Sequence, residues 1–330
     1  MDQAYGIFLY VVSLLTFGGI YAILTLGLNI QWGFTGLFNA GIAGFFAIGA
    51  YVSAILTTAP SGEHLGGLDL PIAIGLIAAL AGSGIVAWGI GRICIRLRSD
   101  YLAIATLGIA EILRLMFKNE IWATNGARGV SLIPKPFEGL PEPWNQLALM
   151  ALVLAMVALL YVLLERARRA PWGRVMAAIR ENEAAARAAG KDVDKLRVQA
   201  FVLGAMLMGL GGALMAHYLK FIDPNAADPL TATFLVWVML IVGGSANNRG
   251  AILGALLIWT IWSATEILTT RLPDDLAIRT AYVRVFLIGL ALQIVLQRFP
   301  SGILPERRTI TTAARDRPPQ RAVRGNVMTR

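Results

Sequence analysis

Pro171–Leu214 reads PWGRVMAAIRENEAAARAAGKDVDKLRVQAFVLGAMLMGLGGAL, and its two halves belong to different solvents. As far as Gln199 it is charged and rich in alanine. From Val198 to Lys220 it is apolar and rich in small residues. A helix needs roughly 20 mainly apolar residues to cross a bilayer, and the second half supplies them. The first half cannot cross. Pro171 suits a first helical turn, where its missing N–H is not needed. RVMAAIRENEAAARAA is made of strong helix formers, which predicts one helix that Gly190 ends in a left-handed conformation. Asp192 or Asp194 then caps the membrane helix that follows. A polar helix is thus expected to turn into a membrane helix at the edge of the bilayer.

The rest of the chain agrees with a membrane setting. Its 330 residues are 57% hydrophobic and 15% charged, against about 25% charge in soluble domains, and the mean hydropathy is +0.65. Nine apolar segments are read at 5–29, 33–58, 70–95, 101–118, 146–164, 198–220, 231–243, 250–270 and 281–298. The expected fold class is an all-α, polytopic transmembrane helix bundle of about 8–10 segments, with room for broken or re-entrant helices. The segment at 231–243 is short enough to be one of these. Residues 1–300 form the membrane domain in this reading, with 165–197 as a polar insertion. The tail 301–330 is rich in Arg and Pro and is expected to be a disordered basic segment against an anionic surface. No cleavable leader is read at the N-terminus.

The net charge of +9 does not point to nucleic acid. Its basic residues group after the third segment (Arg92, Arg96, Arg98), in 165–197, and in the tail. With nine crossings these groups fall on one side, expected to be cytoplasmic by the positive-inside rule. The N-terminus then faces out and the C-terminus in. The loop NGARGVSLIPKPFEGLPEPWN (Asn125–Asn145) becomes an ordered outer cap built of turns.

Catalytic signatures are missing from the sequence. There is no G-x-x-x-x-G-K-[ST] phosphate loop, H-E-x-x-H or G-x-S-x-G. The one cysteine, Cys94, can build neither a disulfide framework nor a metal cluster. No cofactor or metal is expected, and the chain is not expected to be an enzyme. Of the two histidines, His64 reads as a loop residue and His217 as an interfacial one near a helix end.

Polar residues inside apolar segments are the informative ones. Asn29, Gln31, Thr35 and Asn39 gather around Gly33, Gly36 and Gly41. GSANNRG, with Asn247 and Asn248, opens another segment. Two readings stand: helix breaks lining a translocation pathway, or close packing of helices with local capping. Glu111 is three residues from Arg114 and can pair with it. A structural pair and a substrate contact both remain open. Glu266 can snorkel to the interface or line the pathway.

Three further stretches complete the pattern: LGLNIQWGFTGLFNAGIAGFFAIGAYVSAIL (Leu26–Leu56), DYLAIATLGIAEILRLMFKNEIWATNGARGVSLIP (Asp100–Pro134) and FLVWVMLIVGGSANNRGAILGALLI (Phe234–Ile258). Together with the opening stretch they resemble the branched-chain amino acid ABC transporter permeases of the LivM type, over about 20–300. The resemblance implies the membrane subunit of an ATP-driven importer for branched-chain or related amino acids in a bacterial inner membrane. It implies two ATPase subunits that use the ATP, a second related permease and an external substrate-binding protein. It makes 165–197 the cytoplasmic coupling segment, like the EAA loop that fits into the ATPase. The general loop pattern is Glu-Ala-Ala, three residues, then Gly. Glu183, Ala184 and Ala185 match it, and Gly190 comes one position late. Glu181 and Arg187 complete the expected docking set. Urea and short-chain amide importers use similar permeases and are the alternative. An ion-coupled secondary transporter is a third reading, resting on Glu111 and Glu266 as its acidic candidates.

Overall fold

The structure, a computed structural model, describes residues 3–60, 65–269, 286, 289–290 and 293–306. Apolar sequence with few breakers gives long helices. Helix α1 (Gln3–Leu28) widens into a π-helical turn at Asn29–Phe34 and then loses helical form over 36–41. Helices α2 (Ile42–Thr57), α3 (Ile72–Cys94) and α4 (Ser99–Asn119) follow. A short α5 (Ile121–Thr124) and strand β1 (Val130–Ser131) lie in the next loop. Then come α6 (Trp144–Arg169), α7 (Pro171–Glu181), α8 (Glu183–Ala188) and α9 (Val193–Leu219). After β2 (Phe221–Ile222), a second π-helical turn at Leu230–Phe234 leads into α10 (Leu235–Gly243), and α11 (Asn248–Thr269) follows.

Among the described residues, four helical stretches are long and apolar enough to cross a membrane: Ala4–Phe34, Ile72–Cys94, Trp144–Arg169 and Val193–Leu219. Ile42–Thr57 and Leu230–Gly243 are apolar but shorter. Both follow an irregular stretch, so the expectation of broken helices is met at two places. The expected segment at 281–298 is described only in part, the loop 271–280 not at all, and His64 and the tail 307–330 also lie outside the described residues.

Helix α9 is the axis of the bundle. Ala200, Phe201, Ala205, Met208, Ala213 and Ala216 are all buried along it, and α1, α2 and α3 pack around it. Small residues set the spacing: a side chain on Gly212 would run into the Phe46 carbonyl of α2, and one on Gly49 into the Gly209 carbonyl of α9. Close backbone approach is how apolar helices gain contact where lipid offers no hydrophobic drive.

The two ends of the bundle differ. At one end Arg96 bonds Asp194 at 3.2 Å, Asn248 bonds Glu165 at 3.2 Å and Arg180 bonds Glu306 at 2.8 Å. The basic groups after α3 and around α7–α8 therefore share one end. At the other end β1 pairs antiparallel with β2, Val130 opposite Ile222. Lys220 reaches Glu138 there, and the 125–145 loop is a capped series of turns as expected. The Lys220 ammonium holds the Glu138 carboxyl below the usual carboxylate range, with a backbone bond from Lys135 adding to it.

Two expectations need correction. The tail does not begin at 301, because Ile303 and Leu304 donate backbone bonds to Val242 and Gly243 at 2.9 and 3.0 Å. His217 is not interfacial but fully buried. Its Nδ1 meets the Pro134 carbonyl at 2.7 Å and its Nε2 the Ser53 hydroxyl at 2.8 Å, which ties the 125–145 loop to α9 and α2.

Gly212→Leu is expected to force α2 and α9 apart and to cost about 1–3 kcal/mol or more from overpacking. A lower thermal unfolding midpoint in detergent checks this, and an unchanged midpoint contradicts the close-packing account.

Candidate functional site

A non-helical backbone in an apolar setting needs partners for every N–H and C=O. Residues 36–41 meet that need with side chains from four elements. Gln31 spans the break, its Nε2 donating to the Phe201 carbonyl at 2.7 Å and its Oε1 accepting from Asn39 Nδ2 at 2.8 Å. Thr35 Oγ1 returns to the Gln31 carbonyl at 2.5 Å. The start of α2 is capped three times: Asn39 Oδ1 accepts from Gly41 N at 2.8 Å, Thr106 from Ala40 N at 3.0 Å and Thr233 from Ala43 N at 3.0 Å. Trp237 Nε1 donates to the Asn39 carbonyl at 3.0 Å.

The second cluster joins the first. Asn29 Nδ2 donates to Asn248 Oδ1 at 3.0 Å, and Asn29 Oδ1 accepts from Ala246 N at 2.8 Å. Asn248 passes the chain of bonds to Glu165, which Arg168 and Arg169 hold at 2.8 and 2.9 Å. Asn247 instead ties the 304–305 backbone at 3.1 and 3.2 Å. Asn29, Gln31, Asn39 and Asn248 are all buried and bonded to one another or to backbone. In this state they serve as caps and struts. Gly41 borders a small apolar crevice with Phe45, Ile109 and Leu113. Thr35 borders a larger cavity.

That cavity, of about 400 Å³, opens at the basic end between the break and the polar insertion. Thr35, Gly36, Arg96, Arg98, Arg180 and Arg197 line it. Arg180 is the strut that crosses it. Its Nη1 donates to the Gly33 carbonyl and its Nη2 to Glu306 at 2.8 and 3.0 Å. One guanidinium thus links the polar insertion, the π-helical turn of α1 and the C-terminal segment.

The insertion itself is two helices, where one was expected. Asn182 is extended and caps α8, its Oδ1 accepting from Ala185 N at 3.0 Å. The Asn side chain competes for backbone bonds, and this interrupts a run of good helix formers. Pro171 at the start of α7, the left-handed Gly190 (φ 76°) and the Asp192 cap of α9 stand as expected. Ala186 turns inward against Ile179 and Val193, while Glu181, Ala184, Ala185 and Gly190 are exposed. Glu183 and Arg187 are not free rim groups. Glu183 bonds Arg187 at 2.8 Å and Arg197 at 3.0 Å, and Arg187 also reaches Asp194 at 2.6 Å. The Glu183 and Asp194 carboxylates hold the Arg187 guanidinium above its ordinary range. These pairs fix α8 to the start of α9.

Glu111 lies on α4, apart from both clusters, and pairs with Arg114 as the spacing allows. Glu266 falls on α11, and its side chain lies outside the described residues. Arg180, Glu165, Thr106, Thr233 and Trp237 belong to the site without having been singled out from the sequence. Thr106 carried a signal, as a lone threonine in an apolar run, and Thr233 stands with Thr231 at the start of another. Nothing local marks Arg180 or Trp237.

A polytopic helical membrane permease is the class that this bundle defines, with buried helix breaks at its centre and a polar mount at one end. The chain belongs to the branched-chain amino acid transport system / permease component family, which matches residues 10–296. It is 34% identical to the high-affinity branched-chain amino acid transport system permease protein LivM of Escherichia coli strain K12, over 90% of this chain and 70% of the relative. It is 28% identical to the probable branched-chain amino acid transport permease protein LivM of Methanocaldococcus jannaschii, over 89% and 92%. It is 25% identical to the LivH permease protein of Salmonella typhimurium, over 88% and 92%. No solved structure matches.

Asn29→Leu leaves the Ala246 N–H and one side of Asn248 without partners, each at a cost of about 1–3 kcal/mol. A clearly lowered unfolding midpoint in detergent is expected. An unchanged midpoint would show that the 29–246–248 junction carries no structural role.

Proposed function

We propose that this chain is the membrane-spanning permease subunit of an ATP-driven ABC importer, moving branched-chain or related amino acids across the inner membrane. The observation that carries this reading is the mount of α8. Two ion-paired acidic groups hold it rigidly outside the apolar bundle, while Ala184 and Ala185 point outward with nothing to pack on. Alanine offers lipid little buried area, so a narrow protein groove suits this face better. The partner is a soluble ATPase subunit, two of which serve the complete transporter and bind the ATP. The basic end is then cytoplasmic, in keeping with its arginines. An external binding protein presents the substrate at the opposite end. Escherichia coli has two related proteins, LivM and LivH, each named as a permease of high-affinity branched-chain amino acid transport. We take the second permease of this transporter to be a relative of the same kind.

The mechanism follows from the strut. ATP binding closes the ATPase pair and carries α7 and α8 with it. Arg180 passes the movement to the Gly33 carbonyl, and so to the break where Asn29, Gln31, Thr35, Asn39, Gly41, Asn247 and Asn248 hold the helices together. Exchange of these bonds for others lets the pathway open on alternate sides. A bistable set of contacts biased by ligand is what such a switch requires.

Two variants test the reading. Ala185→Trp fills the groove-facing side and should weaken pull-down of the ATPase subunits by roughly 1–3 kcal/mol, with uptake in proteoliposomes falling in step. Unchanged association and unchanged ATP-dependent uptake would remove the docking role. Arg180→Met should keep the ATPase bound but reduce uptake at least tenfold while ATP hydrolysis continues. Normal uptake by that variant would show that force takes another route.

A further inference from the structure

Helix α4 carries a charged pair within an exposed apolar stripe. Leu102, Ala103, Thr106 and Ala110 are its buried side. The opposite side is an exposed apolar stripe of Ile104, Leu107, Ile112 and Leu115, and Glu111 stands within it. Arg114 closes on Glu111 through two parallel bonds, Nε to Oε2 at 2.9 Å and Nη2 to Oε1 at 2.5 Å. The Glu111 side chain is still 41% exposed and that of Arg114 24%. Gly108, about one turn earlier, has open space before it.

Charged side chains on membrane helices face protein or water rather than lipid. The outer side of α4 therefore suits a surface that faces protein or a water-filled pathway rather than lipid. Its position in the bundle agrees. Thr106 caps the break at 36–41, and the 224–227 turn that leads to the second π-helical turn packs against α4. Both helix interruptions thus lie against α4, the first on its buried side through Thr106.

We infer that Glu111 and Arg114 form the recognition site for the charged ends of a zwitterionic α-amino acid, on a face of α4 that the second permease covers. This rests on the amino-acid importer reading above. The guanidinium fork that now holds the Glu111 carboxylate fits the substrate carboxylate in the same bidentate manner. The freed Glu111 carboxylate then takes the substrate ammonium. Each charge exchanges one partner for another and none is left bare, which is what a dehydrated pathway demands. A branched aliphatic side chain lies along Leu107 and Leu115. A neutral amide has no charges with which to open the pair, so the site rejects it.

The complete transporter, with both permeases, the ATPase subunits and the binding protein, is reconstituted in proteoliposomes and given radiolabelled leucine. ATP-driven uptake by the unmodified complex tests the importer reading, and its absence there overturns that reading independently of α4. Glu111→Gln and Arg114→Gln should each lower leucine uptake at least tenfold. The decisive variant is the double exchange Glu111→Arg with Arg114→Glu, which restores an ion pair on the helix but reverses its order. Co-purification of this variant with all partners, with uptake still at least tenfold down, is the expected result. Recovery of uptake by the exchange, wild-type uptake by either single variant, or failure of the exchanged chain to assemble would each make the pair structural and overturn the proposal.

Discussion

A helix that breaks inside an apolar bundle exposes backbone groups that no solvent can satisfy. The whole centre of this protein is arranged around that constraint. Between the π-helical turn and the first turn of α2, the uncovered backbone groups of Asn39, Ala40 and Ala43 draw in Trp237, Thr106 and Thr233 from elements far apart in sequence, while Gln31 braces the Asn39 side chain against Phe201. These bonds fix where α2 begins and how it lies against α9. The glycine contacts between α2 and α9 then set the spacing of the core. A polar junction of this kind is rigid while every bond is made, and it can be rebuilt when a neighbouring element shifts. That makes it a structural joint, and it is why the proposed mechanism places the switch there.

The polar mount at the basic end answers to a different constraint. It holds a short polar helix outside the apolar bundle with Ala184 and Ala185 exposed. Ion pairs among Glu183, Arg187, Asp194 and Arg197 brace α8 against α9, and the buried contact of Ile179, Ala186 and Val193 supplies a small apolar floor. Exposed pairs of this sort contribute little stability singly, but a network fixes orientation. Arg180 then connects mount to break over a short path. The C-terminal segment joins the same arginine through Glu306, so three regions distant in sequence meet at one guanidinium.

Much of this was legible in the sequence because single residues carried unambiguous physics. Long apolar runs gave the membrane helices, and Pro171, Gly190 and Asp192 marked ends that the structure keeps. The Asn/Gly clusters at 29–41 and 244–250 stood out as polar groups in apolar surroundings, and the two do meet. Three features were not legible. The break of the insertion at Asn182 depends on one side chain outbidding a favourable helical run. The burial of His217 depends on which carbonyl a distant loop delivers. The strut of Arg180 depends on the Gly33 carbonyl being left over by the π-helical turn. Each is a tertiary pairing, and no local pattern states the partner.

The central claim is that movement of the α7–α8 mount reaches the break in α1 through Arg180. Electron cryo-microscopy of the complete transporter, without nucleotide and with ATP held unhydrolysed, tests it directly. The account predicts Ala184 and Ala185 seated in the ATPase subunit in both states. It also predicts that the Arg180–Gly33 contact, and the Asn29–Asn248 junction behind it, differ between the two states. An α8 that faces lipid or solvent, or a junction that stays identical while the ATPase subunits close, would contradict it.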